Sequence, residues 1–107
     1  ERKDANGAIV ELLAALRLKP NSAEASNALG LAFRAAGNLD EASAAYQTAI
    51  RLNAKFSVAY RNLAQAFEEK GDRSAAAQGY DRYLLLSQGA SDAAGIREKI
   101  ARLRGGQ

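Results

Sequence analysis

The stretch LGLAFRAAGNLDEASAAYQTAI, which runs from Leu29 to Ile50, spaces its alanine, glycine and aromatic residues too regularly for an arbitrary amphipathic helix. Shifting the sequence by 34 residues shows that this spacing recurs along the chain. The positions that align three times are Ala8, Ala42 and Ala76; Leu12, Tyr46 and Tyr80; Leu16, Ile50 and Leu84; and Leu18, Leu52 and Leu86. Periods of about 20 to 50 residues are typical of repeat architectures. The sequence therefore predicts a small repeat protein.

Each repeat predicts two helices joined by a tight turn. Apolar residues recur at helical spacing on both sides of Gly37, which can adopt the left-handed conformation that ends a helix. Asn38 and Glu41 then resemble a capping box for the next helix. Gly71 and Asp72 repeat this pattern one period later.

Small residues within the repeats predict that the two helices of a pair lie close together, because helices approach closely only where side chains are short. These small residues are Gly30, Ala42, Ala49, Ala64 and Ala76. Bulky residues beside them would fill the remaining space, namely Phe33, Tyr46, Phe67 and Tyr80.

These residues resemble the tetratricopeptide repeat family, whose pattern is W-x₂-L-G-x₂-Y, then A-x₃-F, then P, on a period of about 34 residues. The first full repeat matches at Leu29, Gly30, Phe33, Ala42 and Tyr46, and the second at Tyr60, Leu63, Phe67, Ala76 and Tyr80. Departures are Ser26 at the bulky first position, Tyr83 at a small position, and Ala54 and Gln88 where proline is expected. The resemblance implies an all-α fold, a right-handed α-α superhelix of antiparallel helix pairs.

The repeat pattern divides the single predicted domain, residues 1–107, into four parts. Residues 1–22 hold the second helix of an incomplete repeat, 23–56 and 57–90 are full repeats, and 91–104 form a capping helix. Upstream residues or another molecule would cover the first helix. Ser91 or Asp92 is expected to cap the last helix, whose apolar face seals the final repeat.

Catalysis is not expected from this composition. Cysteine and histidine are absent, which removes the usual nucleophile, general base and soft-metal ligands, so no catalytic residue, metal site or cofactor is predicted. The adjacent carboxylates Asp40 and Glu41, and Glu68 and Glu69, diverge by about 100° on a helix and cannot flank one bond.

The net charge of +3 does not indicate nucleic-acid binding, since acidic residues are interleaved with the basic ones through most of the chain. No apolar stretch approaches the roughly 20 residues of a membrane span, so membrane insertion is not expected. The alanine-rich composition favours a bacterial source, and cytoplasm and periplasm both remain open as the location.

The resemblance implies a non-enzymatic protein-protein interaction scaffold, which binds a peptide segment of a partner protein through its concave face. In the family, the first helix of each repeat lines this groove. The corresponding positions are Glu24, Asn27, Leu31, Arg34 and Ala35 in the first repeat and Val58, Arg61, Gln65, Glu68 and Glu69 in the second. Amides such as Asn27 and Gln65 can bond a peptide backbone, and arginines can pair with a carboxylate.

Three alternatives stay open at this point. The chain could self-assemble as a homo-oligomer through its incomplete N-terminal repeat, or serve as the recruiting segment of a larger bacterial secretion or assembly protein or enzyme. The groove residues could also be ordinary solvated side chains. Binding of a chaperone tail is disfavoured, because Asn27 and Leu31 depart from the family's carboxylate-clamp positions and only Asn62 fits.

Overall fold

The protein is described by a computed structural model over residues 2–105, so that residues 1, 106 and 107 of the predicted domain lie outside the described range. This range forms six α-helices and contains no strand. They are α1 (Arg2–Leu18), α2 (Ala23–Ala35), α3 (Leu39–Leu52), α4 (Ser57–Lys70), α5 (Arg73–Leu86) and α6 (Ala93–Leu103). Each helix packs against the next one along the chain, which confirms the predicted architecture of helix pairs.

Left-handed glycines end three of the helices described, and two of these glycines, Gly37 and Gly71, are at the positions that the sequence predicts. Gly37 has a φ of 87° and Gly71 a φ of 89°, a region that glycine enters without strain. Directly after Gly71, the Asp72 carboxylate accepts a hydrogen bond from the backbone N–H of Ala75 at 3.1 Å. This turn therefore closes α4 and caps α5 within two residues.

The capping box predicted at Asn38 and Glu41 is wrong. Asn38 is the residue before α3, but its side chain makes no capping hydrogen bond. Its backbone N–H donates to the carbonyl of Phe33 at 2.8 Å, which completes the C-terminal turn of α2. Because a capping box needs that same N–H as the donor to Glu41, the two arrangements exclude each other.

The predicted cap of the last helix is also different. Asp92 precedes α6, yet its side chain makes no capping hydrogen bond. Its Oδ1 instead accepts a hydrogen bond from the Tyr83 hydroxyl at 2.7 Å, and its Oδ2 lies 3.4 Å from Nη1 of Arg61. Asp92 therefore joins α6 to α4 and α5.

The helices lie in two layers. Side-chain hydrogen bonds and ion pairs connect α2 to α4 and α4 to α6, so these three helices lie side by side. Helices α1, α3 and α5 form the second layer: α1 packs against α2, α3 packs against both α2 and α4, and α5 packs against both α4 and α6. The described chain is elongated, with extents of 45 × 26 × 21 Å.

Two buried clusters form the core. The smaller one contains Ala42, Tyr46 and Ala66, against which Phe33 and Leu63 pack. The larger one joins α4, α5 and α6 and consists of Ala64, Ala76, Ala77, Tyr80, Tyr83, Ile96 and Ile100. Tyr46 and Tyr80, one period apart, are the largest fully buried side chains. Alanine and tyrosine together thus fill the space between paired helices.

One glycine per pair allows the helices to approach closely. A Cβ at Gly30 would lie 2.4 Å from Cε1 of Tyr46, and a Cβ at Gly79 would lie 2.9 Å from Cβ of Ala64. Gly30 is on the first helix of its pair, where the next repeat has Ala64; Gly79 is on the second helix, where the previous repeat has Ala45. The two pairs therefore solve the same packing problem with the glycine on opposite helices.

We predict that Gly30→Ala destabilises the protein by about 1–3 kcal/mol, because the added methyl overlaps the ring of Tyr46, which is buried and has no room to move. This lowers the melting temperature by roughly 4–8 °C per kcal/mol in a circular dichroism melt. Gly7→Ala is the matched control, since Gly7 is also within a helix and has no atom near its Cβ position. Equal melting temperatures for the two variants would contradict the pairing described here.

Candidate functional site

The face formed by α2, α4 and α6 carries the residues predicted from the sequence as a binding surface. Glu24, Leu31, Ala35, Val58 and Glu69 are exposed, Arg34, Arg61, Gln65 and Glu68 are partly exposed, and Asn27 is buried. Four of them line one cleft of about 390 Å³ together with a residue of α6; they are Arg34, Gln65, Glu68, Glu69 and Lys99. We refer to this whole surface of α2, α4 and α6 as the inner face.

Arg34 is paired with Glu69 across the boundary between α2 and α4. Its Nε lies 3.0 and 3.1 Å from the two carboxylate oxygens, its Nη2 contacts one of them as well, and its Nη1 lies 3.4 Å from Oε1 of Gln65. These hydrogen bonds hold the pKa of the Glu69 carboxyl below its usual range. The guanidinium is thus already bound to a carboxylate of its own chain.

Arg61 makes the corresponding connection between α4 and α6. Its guanidinium pairs with Asp92 at 3.4 Å and lies over the ring of Tyr83, 5.5 Å from the ring centroid. A hydrogen bond from the Tyr83 hydroxyl, with the nearby guanidinium, lowers the pKa of Asp92. Asp92 and Tyr83 were not among the predicted site residues, because neither lies on a first helix of a full repeat.

Glu68 is likewise engaged within the chain. Its Oε1 accepts a hydrogen bond from the Tyr80 hydroxyl at 2.8 Å and lies 3.6 Å from Nζ of Lys99. Sequence reasoning missed Lys99 as a site residue. Its position one 34-residue period after Gln65, which was a predicted site residue, is the signal that could have found it.

Asn27 does not offer its amide to the solvent. Only 8% of Asn27 is exposed, and its Oδ1 accepts a hydrogen bond from Nδ2 of Asn62 at 3.0 Å. Asn62 is buried too. This amide pair connects α2 to α4 beneath the inner face, so it holds two neighbouring helices in a fixed register.

The hydroxyl of Tyr46 is buried and has no hydrogen-bond partner among the described residues. Burial raises the pKa of Tyr46 to about 12. One period later, the Tyr80 hydroxyl donates to Glu68. The residue at the position of Glu68 in the first repeat is Arg34, a donor that cannot accept from Tyr46. The two repeats are therefore alike in packing but different in polar pairing.

Metal binding and membrane insertion find no support within residues 2–105. No cluster of three acidic side chains in that range is arranged to hold a metal ion. Of the helices described, none combines the length and the apolar character that crossing a bilayer requires.

Two layers of paired helices on a 34-residue period define a helical-repeat solenoid, and comparison with known proteins specifies which kind. The family model for the TPR repeat matches residues 30–71. Residues 2–105 therefore have the fold of a tetratricopeptide repeat solenoid, a right-handed α-α superhelix, and residues 30–71 match the TPR repeat in sequence. Among curated proteins, no sequence matches the chain.

Solved structures share the fold over nearly the whole chain. The type III secretion translocator chaperone SycD of Yersinia enterocolitica superposes with a TM-score of 0.87 at 16% identity, over 95% of this chain and 73% of that one. MamA gives 0.80 at 27% identity, over 92% and 64%. The first TPR domain of Spaghetti (RPAP3), bound to the HSP90 peptide SRMEEVD, gives 0.88 at 18% identity, over 96% and 82%.

We predict opposite outcomes for the two buried tyrosines. Tyr80→Phe removes a hydrogen bond to a carboxylate and costs about 1–2 kcal/mol, whereas Tyr46→Phe removes an unpartnered hydroxyl and leaves stability equal or higher. Chemical denaturation of the two variants beside the wild type measures both. A loss for Tyr46→Phe as large as that for Tyr80→Phe would mean that the Tyr46 hydroxyl has a partner.

The Arg34–Glu69 pair predicts a dependence of stability on pH. Because the folded pKa of Glu69 is lowered from the ordinary value of 4.5, the stabilisation is present above about pH 4.5 and is lost as the pH falls through the folded pKa. The gap in melting temperature between wild type and Glu69→Gln should therefore close on acidification. Glu11→Gln changes an exposed carboxylate of α1 and is the control. A gap independent of pH would contradict the pairing.

Proposed function

We propose that this protein is a non-enzymatic scaffold that binds a peptide segment of a partner protein through its inner, concave face. The observation that carries the proposal is the exposure of two large apolar side chains on a mostly polar surface. Leu31 is 43% and Val58 37% exposed, and both lie on the first helices of full repeats. Such side chains gain free energy when a ligand removes them from water.

The proposed binding surface comprises Glu24, Asn27, Leu31, Arg34, Arg61, Gln65, Glu68 and Glu69. Within it, Leu31 is one turn from Asn27 and one turn from Arg34, both of which bond to α4. Leu31 therefore lies on the α2 side of the face, next to the contacts between α2 and α4. Asn27 contributes by holding α2 against α4, and the charged residues form the walls of the cleft. The repeat division into 1–22, 23–56, 57–90 and 91–104 is part of the same proposal.

Two structural neighbours support peptide binding by analogy of fold. SycD has been crystallised with a peptide of the translocator YopD, and the structure of the Spaghetti domain shows it bound to an HSP90 peptide. Both are under 25% identical to this chain, so they support the shape of the groove and not its ligand. The family match is to a repeat and indicates no class of enzyme.

Self-association through α1 is a second candidate, favoured by the exposure of Val10 at 68% and Leu13 at 46%. One period later, the position of Leu13 holds Gln47, and two periods later it holds Asp81. An apolar residue where the other second helices are polar suggests a surface that another molecule covers.

We predict that Leu31→Lys/Val58→Lys reduces partner capture about tenfold or more, the equivalent of about 1.4 kcal/mol, because lysines replace the apolar floor of the groove. The measurement is an affinity pull-down from lysate of the source organism, quantified by mass spectrometry. Val10→Lys/Leu85→Lys is the matched control, since it makes the same two replacements at exposed positions outside the inner face.

A protein retained by the wild type and by the control, but lost with the inner-face variant, would support the concave site. Equal retention by all three would remove it. If the wild type captured further copies of the same chain and only the control variant failed to do so, the result would favour self-association through α1.

A further inference from the structure

We infer that the inner face selects an uncharged, extended peptide with apolar side chains, and that the peptide backbone crosses α6 at Gly95. This inference rests on the proposed function and specifies its ligand. It combines the pairing of the charges on the face, the position of its exposed apolar residues, and a glycine that leaves one position of α6 without a side chain.

The cations of the cleft and its surroundings are matched by carboxylates of the same chain. Arg34 pairs with Glu69, Arg61 with Asp92, and Lys99 with Glu68. A ligand carboxylate could bind one of these cations only by displacing the carboxylate already there, and the displaced group would then lack its partner. The exchange replaces one ion pair with another and gives little net attraction, so an acidic ligand has no advantage.

The apolar and amide groups of the face favour a neutral ligand. Leu31 and Val58 present exposed hydrocarbon on α2 and α4. Gln65, on α4, accepts a hydrogen bond from Arg34 through Oε1, while its amide nitrogen makes no hydrogen bond to any described residue. That N–H₂ group can donate to a peptide carbonyl, which every sequence offers.

Gly95 leaves one point on the α6 side of the face without a side chain. It lies about 60° around the helix from Asp92 and about 40° from Lys99, the two α6 residues that bond to α4. Gly95 is exposed, and no atom lies within 4 Å of the position its Cβ would take. A glycine at such a point lets a ligand backbone come close to the helix backbone.

The width of the face sets the length of the ligand. Three neighbouring helices with axes about 8–10 Å apart span about 20 Å from α2 to α6. An extended chain, at about 3.3 Å per residue, covers that distance with about six residues. A segment of that length would reach from Leu31, past Gln65, to Gly95.

The test is selection of random 12-residue peptides displayed on phage against the full chain. Enriched peptides are then synthesised, and their affinities are measured by fluorescence anisotropy. We expect uncharged sequences with several apolar residues. Gly95→Gln should weaken their binding by about tenfold or more, because its side chain occupies the crossing point. Gly7→Gln should leave binding unchanged, since it makes the same replacement at an open position within α1.

Each result separates this inference from the proposed function. Enrichment of acidic peptides, tighter binding of SRMEEVD than of the enriched peptides, or affinity within twofold of wild type for Gly95→Gln would overturn the inference alone, provided that Leu31→Lys/Val58→Lys still abolishes binding. Peptides that bind that double variant as well as the wild type would overturn the proposed function too, as would a selection that enriches nothing.

Discussion

The close contact between the two helices of each repeat is the constraint on which the rest of the structure depends. Gly30 faces the ring of Tyr46 and Ala64 faces Gly79 at distances that leave no room for another carbon atom. This contact buries Tyr46 and Tyr80 completely, and those rings make up much of the core of a protein only 107 residues long. With the pairs fixed in this way, α2, α4 and α6 are left to form one continuous face.

Polar contacts across that face relate each repeat to the next. The buried Asn27–Asn62 pair and the Arg34–Glu69 pair connect α2 to α4, while Arg61, Asp92 and Tyr83 connect α4 to the last two helices. Exposed ion pairs add little stability individually, but together with a buried amide pair they determine how neighbouring helices align. The same arginines therefore hold neighbouring helices of the inner face together, and they are not free to pair with a ligand.

Most of the fold could be predicted from the sequence, because its signals are local and recur every 34 residues. Helix pairing and the glycine-ended turns follow from residues that are neighbours in the chain or one helix apart. The helix caps at Asn38 and Asp92 were harder to predict, because each residue bonds to a partner outside the cap. The backbone N–H of Asn38 donates to Phe33, and the side chain of Asp92 accepts from Tyr83. Lys99 was missed as a candidate site residue for a different reason, because its contact with Glu68 joins two separate helices, α6 and α4. Sequence position indicated which residues lie on α2 and α4, but the pairing between their side chains is decided by the three-dimensional geometry.

The close-packed glycine lies on the first helix of one repeat and on the second helix of the other. This difference determines which segment could be transplanted intact into another protein of this kind. If α4 replaced α2 as the partner of α3, the methyl group of Ala64 would overlap Tyr46 at the point where only Gly30 fits. If α2 replaced α4 as the partner of α5, Gly30 and Gly79 would lie opposite each other and leave a gap. Single helices are thus not interchangeable between the repeats, although their period and pattern are the same. The helix pair, with its one glycine and its tyrosine, is the smallest segment that contains both sides of its own packing interface.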